Sequence, residues 1–214
     1  MVPSIKGSVF KSVIDDLARG QAEGRVSQED VDTRLASEDL AFLESEISPS
    51  AWYPMESYGR FMQLLGEIEG AGKDAYFVER GRASARRLME SGLYQQLGFL
   101  SRWEQAIGSH RGDQSVAIAG YARNLRMVSS LASAIYSVGK WEVEPDPDHT
   151  GRVRIAVREA RAYSEPMRLA IEGFLNECAR AAREELTHHF VSERPSRDLI
   201  LIRMTCDIID LYPA

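Results

Sequence analysis

The chain has 214 residues, 44% of them hydrophobic and 27% charged, which suits a globular protein able to bury a core without disulfides or metal. Its net charge of −6 argues against a nucleic-acid or anionic-membrane partner, since either needs a basic field. Two cysteines, Cys178 and Cys206, are too few for a secreted disulfide framework. No apolar run reaches the length of a membrane span, about 18 residues, and the opening residues 1–7 lack a signal region. The expected location is cytoplasmic.

Helical periodicity fills the first two thirds. Residues 8–19 carry Val9, Phe10, Val13, Ile14 and Leu17 as one stripe, ended by Gly20 and Gly24. Ser27 and Asp30 resemble a capping arrangement before a short acidic helix. A further short helix is expected over 39–46, with Leu40, Leu43 and Ile47 facing inward and Pro49 stopping it. Residues 50–54 read as a hinge into a strong helix with Phe61, Leu64, Leu65 and Ile68 at i, i+3, i+4, i+7.

The glycine-rich segment 70–72 breaks that run, and a helix over 73–90 follows with Phe77, Gly81, Ala85 and Leu88 on one side. A glycine inside a helix costs about 1 kcal/mol relative to alanine, so Gly81 marks a close helix contact or a ligand. Residues 93–107 predict another helix and 110–112 a turn. The proline-free segment 113–139 predicts one long helix rich in small residues and apolar nearly all round, hence central and mostly buried.

The hydrophobic period then switches near residue 140. Residues 141–144 and 152–157 alternate as strands around a Pro- and Asp-rich turn. Ser164-Glu165-Pro166 opens a last helix with Met167, Ala170, Ile171, Phe174, Leu175 and Cys178 inward. Strands near 187–193 and 199–207, joined by residues 194–196, complete the pattern. The expected fold is α+β: an N-terminal helical bundle whose long central helix packs on a C-terminal four-stranded antiparallel sheet of order β-β-α-β-β. It forms one domain over 1–214, helical to 139 and sheet from 140.

Recognisable catalytic motifs are absent. Gly70-Ala71-Gly72-Lys73 follows a helix and lacks the spacing of a phosphate-binding loop. On a strand, His188 and His189 would point to opposite faces, which one metal cannot span. Cys178 and Cys206 form no CxxC pair. The serines of 129–137 have no nucleophile elbow, and their small side chains suit either close packing or a cavity wall. Arg80, Arg82, Arg86 and Arg87 form a basic cluster, read either as a solvated face paired with nearby acids or as a docking patch for an acidic partner.

Three segments carry a family resemblance: Ile5-Lys6-Gly7-Ser8-Val9-Phe10, residues 50–58 beginning Ser-Ala-Trp-Tyr-Pro, and Gly81-Arg82-Ala83-Ser84-Ala85. The chain resembles a paralogous family expanded in myxobacteria. That family is distantly similar to vinyl-reductase-type sensory domains, and more remotely to H-NOX haem domains and TRAPP-type trafficking subunits. The resemblance implies small-ligand or lipid sensing or a scaffold role, often as a dimer, and not catalysis. It implies no haem here, because Tyr163-Ser164-Glu165-Pro166 is not the Tyr-x-Ser-x-Arg motif and no histidine lies in the long helices. Only Cys206 stands where the vinyl-reductase-type domains carry a cysteine pair, so no metal is implied either.

The resulting expectation is a non-enzymatic sensory or adaptor domain without cofactor. It would bind an apolar small molecule between the long helix and the sheet, dock a protein partner, or do both. Trp52, Tyr53, Gly81, Tyr121 and Ser130 are the expected ligand-facing residues, and Arg80, Arg82, Arg86 and Arg87 the partner-facing ones. A structural interaction module with a filled core is the alternative, and an enzyme without a recognisable motif comes third.

Overall fold

The computed structural model describes residues 2–90, 114–182 and 190–208. The helix expected over 93–107, the turn at 110–112 and the pair His188-His189 lie outside the described residues. Within them the chain is α+β, with a four-stranded antiparallel sheet at its C-terminal end.

The first helices form where apolar stripes and caps dictate. Helix α1 (Gly7–Ala22) buries Phe10, Val13, Ile14 and Leu17. Helix α2 (Gln28–Arg34) opens with a full capping box: Ser27 Oγ accepts the Asp30 N–H at 3.1 Å, and the Asp30 carboxylate accepts the Ser27 N–H at 3.2 Å. Helix α3 (Ser37–Leu43) starts two residues earlier than its apolar pattern suggests. That offset brings Asp39 into the first turn, fully buried. Its carboxylate accepts the Ala36 N–H at 3.1 Å and two guanidinium N–H groups of Arg60 at 2.6 and 2.9 Å. Burial alone would raise this carboxyl. The hydrogen bonds from Arg60, Ser57 and Ala36 outweigh it and hold the group below the ordinary aspartate value.

The expected hinge at 50–54 is instead largely a strand. Strands β1 (Ser4–Lys6) and β2 (Trp52–Pro54) pair antiparallel, Ile5 opposite Tyr53. Three residues carry no readable alternation, so the partner decides the pairing. β1 also reaches the far end of the helical region: the Ser137 N–H donates to Ser4 O at 2.9 Å and the Ser4 N–H to Ser137 Oγ at 2.7 Å. Helix α4 (Met55–Ile68) leaves β2 directly and buries Phe61, Leu64 and Leu65. The Phe10 ring stacks on Tyr53 at 4.7 Å and meets Phe61 edge-on at 5.8 Å, locking α1, β2 and α4 together.

Helix α5 (Asp74–Glu90) packs against the last helix, α7 (Glu165–Ala182), with α6 (Gln114–Ile135) between them in sequence. The α5–α7 contact is backbone against backbone. A methyl group at Gly81 would lie 2.7 Å from the Ala170 carbonyl carbon and 2.9 Å from the Phe174 nitrogen. One at Gly173 would lie 2.7 Å from the Val78 carbonyl carbon. Each helix thus contributes one glycine to admit the other's main chain.

Helix α6 differs from its expectation. It buries Tyr121, Ala122, Leu125, Val128, Ser129 and Ala132, but exposes Ala119, Arg123, Arg126, Ser130, Ser133 and Ala134. It is amphipathic rather than buried all round, because small residues cost little on either side and Arg123 and Arg126 favour water. It ends at Ile135, not 139: Tyr136 bridges to Ile5, and Gly139 takes a left-handed backbone (φ 93°) in which its α-carbon faces the Tyr163 ring.

The C-terminal sheet comprises β3 (Lys140–Pro145), β4 (Val153–Arg158), β5 (Phe190–Ser196) and β6 (Leu199–Met204) in spatial order β3-β4-β6-β5. Residues 194–196 continue β5 rather than linking two strands. Val143, Ile155, Val157, Ile200 and Ile202 join the core. The opposite face is a ladder of ion pairs, Arg154–Glu144, Arg158–Glu142 and Arg203–Glu193. Residues one helical turn apart on α7 close the β5 edge. Asn176 donates to and accepts from the Phe190 backbone at 2.9 and 3.0 Å, Glu172 accepts the Ser192 N–H at 2.7 Å, and Arg168 donates to Ser192 O at 2.7 Å. The outward amides of Phe190 and Ser192 are thereby satisfied without another strand.

Two outcomes follow for stability. Gly81→Ala and Gly173→Ala should each cost about 3 kcal/mol, the top of the overpacking range, because the obstacle is backbone. Gly24→Ala, in open space with φ 71°, should cost only about 1–2 kcal/mol. Urea melts of the three variants check this; a mild Gly81→Ala would refute the backbone contact. Asp39→Asn should cost about 1–3 kcal/mol at neutral pH. A carboxyl depressed in the folded state stabilises above its unfolded value, about 3.9, and loses that contribution as pH falls through its folded value. The gap between wild type and Asp39→Asn in urea midpoint should therefore shrink below about pH 4.

Candidate functional site

The arginines of α5 do not form one patch. Residues 80, 83, 84 and 87 fall on one helical stripe and 79, 82 and 86 on the next, because seven residues make two turns. The second stripe faces α7. Arg86 pairs with Glu79 and reaches Glu177 on α7 at 3.4 Å, and Arg82 lies 3.7 Å from Glu79. Glu177 is 1% exposed. Hydrogen bonds from Arg180, helped by the charges of Arg86 and Arg82, hold its carboxyl below the usual range. That stripe therefore contributes to the α5–α7 joint.

The first stripe faces α1 and lines a cleft of about 250 Å³. Four arginines line it, Arg19, Arg25, Arg80 and Arg87. Three carboxylates share its walls, Asp16, Glu69 and Glu79, with Tyr76 and Ala83 between them. The acids are already engaged. Asp16 takes Arg80 at 2.7 Å and Arg19 at 3.1 Å. Glu69 pairs with Arg25 and accepts the Tyr76 hydroxyl at 2.8 Å. Glu79, which reaches the cleft from the second stripe, is held by Arg86 on that stripe. Arg87 donates to Ser84 Oγ at 3.3 Å, and no carboxylate among the described residues pairs with it. Behind the cleft sits Tyr58, whose hydroxyl is raised first by burial and then by the Asp16 charge, against the lowering influence of Arg80 and Arg87.

The five residues expected to share a ligand pocket are dispersed. Trp52, on β2, is 44% exposed with Lys6 Nζ 4.3 Å from its ring centre. Tyr53 stacks on Phe10, and its hydroxyl accepts the Ser48 N–H at 2.9 Å. Gly81 meets the α7 backbone, which leaves no ligand space at its α-carbon. On α6, Tyr121 is buried and Ser130 exposed, so they face opposite ways. It is Ser129, 5% exposed, whose hydroxyl is buried with no hydrogen-bond partner among the described residues, and Ser164 Oγ shares that condition. One position along the helix reverses the face, which composition alone does not register.

Next to Ser164 an aromatic cluster joins α6 to the sheet. Tyr136 stacks on Trp141 at 6.1 Å and tilts against Tyr163 at 5.1 Å. The Tyr163 hydroxyl donates to Val138 O at 2.8 Å and accepts from Trp141 Nε1 at 3.2 Å. Burial, with the Glu177 charge second, pushes the Cys178 thiol up to about 12, so it is no thiolate nucleophile at neutral pH. Among the described residues, no group of three or more His, Cys, Asp or Glu is placed to hold a metal ion, and no helix is long and apolar enough to cross a membrane. Comparison with protein-family models, with curated proteins and with solved structures finds no match to this chain.

The orphan hydroxyl gives a sharp test of packing. Ser129→Ala should leave stability unchanged or raise it by up to about 1 kcal/mol, because it removes a buried polar group that makes no hydrogen bond. A loss above 1 kcal/mol in urea melts would show that Ser129 is satisfied by a bound molecule or water.

Proposed function

We propose that the chain is a non-catalytic sensory or adaptor domain that docks an anionic partner over the α1–α5 cleft and its arginine-bearing rim. The carrying observation is the gathering of four arginines around one cleft, of which Arg87 has no carboxylate partner among the described residues, in a chain of net charge −6. A local positive site on an acidic protein attracts an anionic group while the surrounding field repels bulk association. The reading extends the sensory and scaffold roles implied by the family resemblance, with no haem or metal, acting in the cytoplasm.

A second reading keeps a small molecule between α6 and the sheet. The Ser129 hydroxyl on α6, buried with no hydrogen-bond partner among the described residues, favours it.

The docking reading is tested with an immobilised polyglutamate peptide. The wild-type chain should bind it at low salt and release it near 1 M salt, where the screening length is about 3 Å. Arg19→Gln with Arg87→Gln, the exposed arginines at the rim of the cleft, should weaken binding about tenfold while shifting stability by less than about 1 kcal/mol. Undiminished binding by that double variant would sink the assignment of the rim.

A further inference from the structure

We propose that the α1–α5 cleft is a binding site for a phosphate group, with Arg87 as its recognising residue and Arg80 as a fixed cationic wall. This rests on the reading of that face as the docking surface and names the chemistry it takes. Three observations carry it.

The first is the state of each guanidinium. Arg80 is held in place by Asp16 at 2.7 Å and by the Tyr76 hydroxyl at 3.3 Å, with its side chain 15% exposed. It is a preset charge, costing little entropy on binding. Arg87 lies at the exposed end of the same stripe and donates to Ser84 Oγ, with no carboxylate partner among the described residues. Its fork can turn to a ligand without breaking an ion pair. Bidentate guanidinium–phosphate contacts are among the strongest hydrogen bonds proteins make.

The second is the supply of cations from separate parts of the chain. Arg19 comes from α1, Arg25 from the turn after it, and Arg80 and Arg87 from α5. A planar carboxylate is satisfied by one fork, whereas a tetrahedral dianion presents oxygens in several directions and suits cations arriving from several sides. The third is size. A cleft of about 250 Å³ falls below the roughly 300–1,000 Å³ of pockets for drug-sized ligands, so it admits a phosphate and not a large cofactor.

The source of the phosphate is either free anion or a phosphorylated side chain of a partner protein. The test titrates the whole chain with inorganic phosphate in low-salt buffer by calorimetry, and in parallel with a phosphoserine peptide and its unphosphorylated counterpart. Expected is saturable binding of one phosphate per chain, weakened about tenfold or more in Arg87→Gln, intermediate in Arg87→Lys, which keeps the charge but loses the fork, and unchanged in Arg161→Gln, which lies outside the cleft. Urea midpoints of the variants show that they remain folded. Tighter binding of the phosphopeptide than of free phosphate, with none by the unphosphorylated peptide, supports the site and assigns it to a partner. Equal binding of phosphate and phosphopeptide supports it as a free-anion site. Absence of phosphate binding to wild type, equal binding by Arg87→Gln, or glutarate binding as tight as phosphate would overturn it. Polyglutamate bound at the rim while phosphate is not would overturn the phosphate site and leave the docking reading standing. The reverse would overturn the docking reading alone.

Discussion

The close approach of α5 and α7 is the constraint on which the rest of the structure depends. Gly81 and Gly173 each sit against the other helix's main chain, and no side chain larger than hydrogen fits at either place. This contact fixes which way both helices are rotated. With α7 so oriented, Arg168, Glu172 and Asn176 fall along the β5 edge and bond its backbone at Phe190 and Ser192. With α5 so oriented, Glu79, Arg82 and Arg86 turn toward α7 and Arg80 and Arg87 toward α1. The intrinsic cost of a helical glycine, about 1 kcal/mol, is offset by the dispersion contacts that backbone proximity allows along the joint.

Around that joint the polar groups are used structurally. Asp39 is buried yet ionised because Arg60 and two other donors saturate it. Arg203 does the corresponding work at the other end of the molecule, bonding Asp146 and Asp148 in the β3–β4 turn at 2.7 and 2.9 Å and Glu193 on β5 at 2.8 Å. On the exposed face of the sheet, cross-strand pairs cover Ala156 and Leu201, both buried though outside the core cluster.

The α5 helix accordingly has two functions on adjacent stripes. One set of arginines is committed to the fold through the buried Glu177. The other lines a cleft whose acids are already engaged, and there Arg87 has no carboxylate partner among the described residues. Arginines from one short segment therefore differ in role by their angle about the helix axis and not by their spacing in sequence. A substitution at Arg86 perturbs the helix joint, whereas one at Arg87 alters the cleft.

The sequence by itself determined the elements that bury a periodic face. The stripes of α1 and α4, the capping box at Ser27, and the alternating strands β3, β4 and β6 are local patterns, set by 3.6- and 2-residue repeats and by short-range hydrogen bonds. Gly81 was legible as a place of close approach for the same reason, since a helix interior tolerates glycine only for a purpose. What lay beyond the sequence required a partner. The pairing of β1 with β2 joins residues some fifty positions apart, and three-residue strands have no period to read. The outer face of α6 looked apolar because alanine and serine suit water and core alike, and only the neighbours of each turn decide between them. The cleft was half visible as a run of arginines. Its other half, Asp16, Arg19, Arg25 and Glu69, comes from segments that meet only after α1, α4 and α5 have packed. Charge in a sequence is a sum along the chain, whereas charge at a site is a sum in space, and tertiary packing converts one into the other.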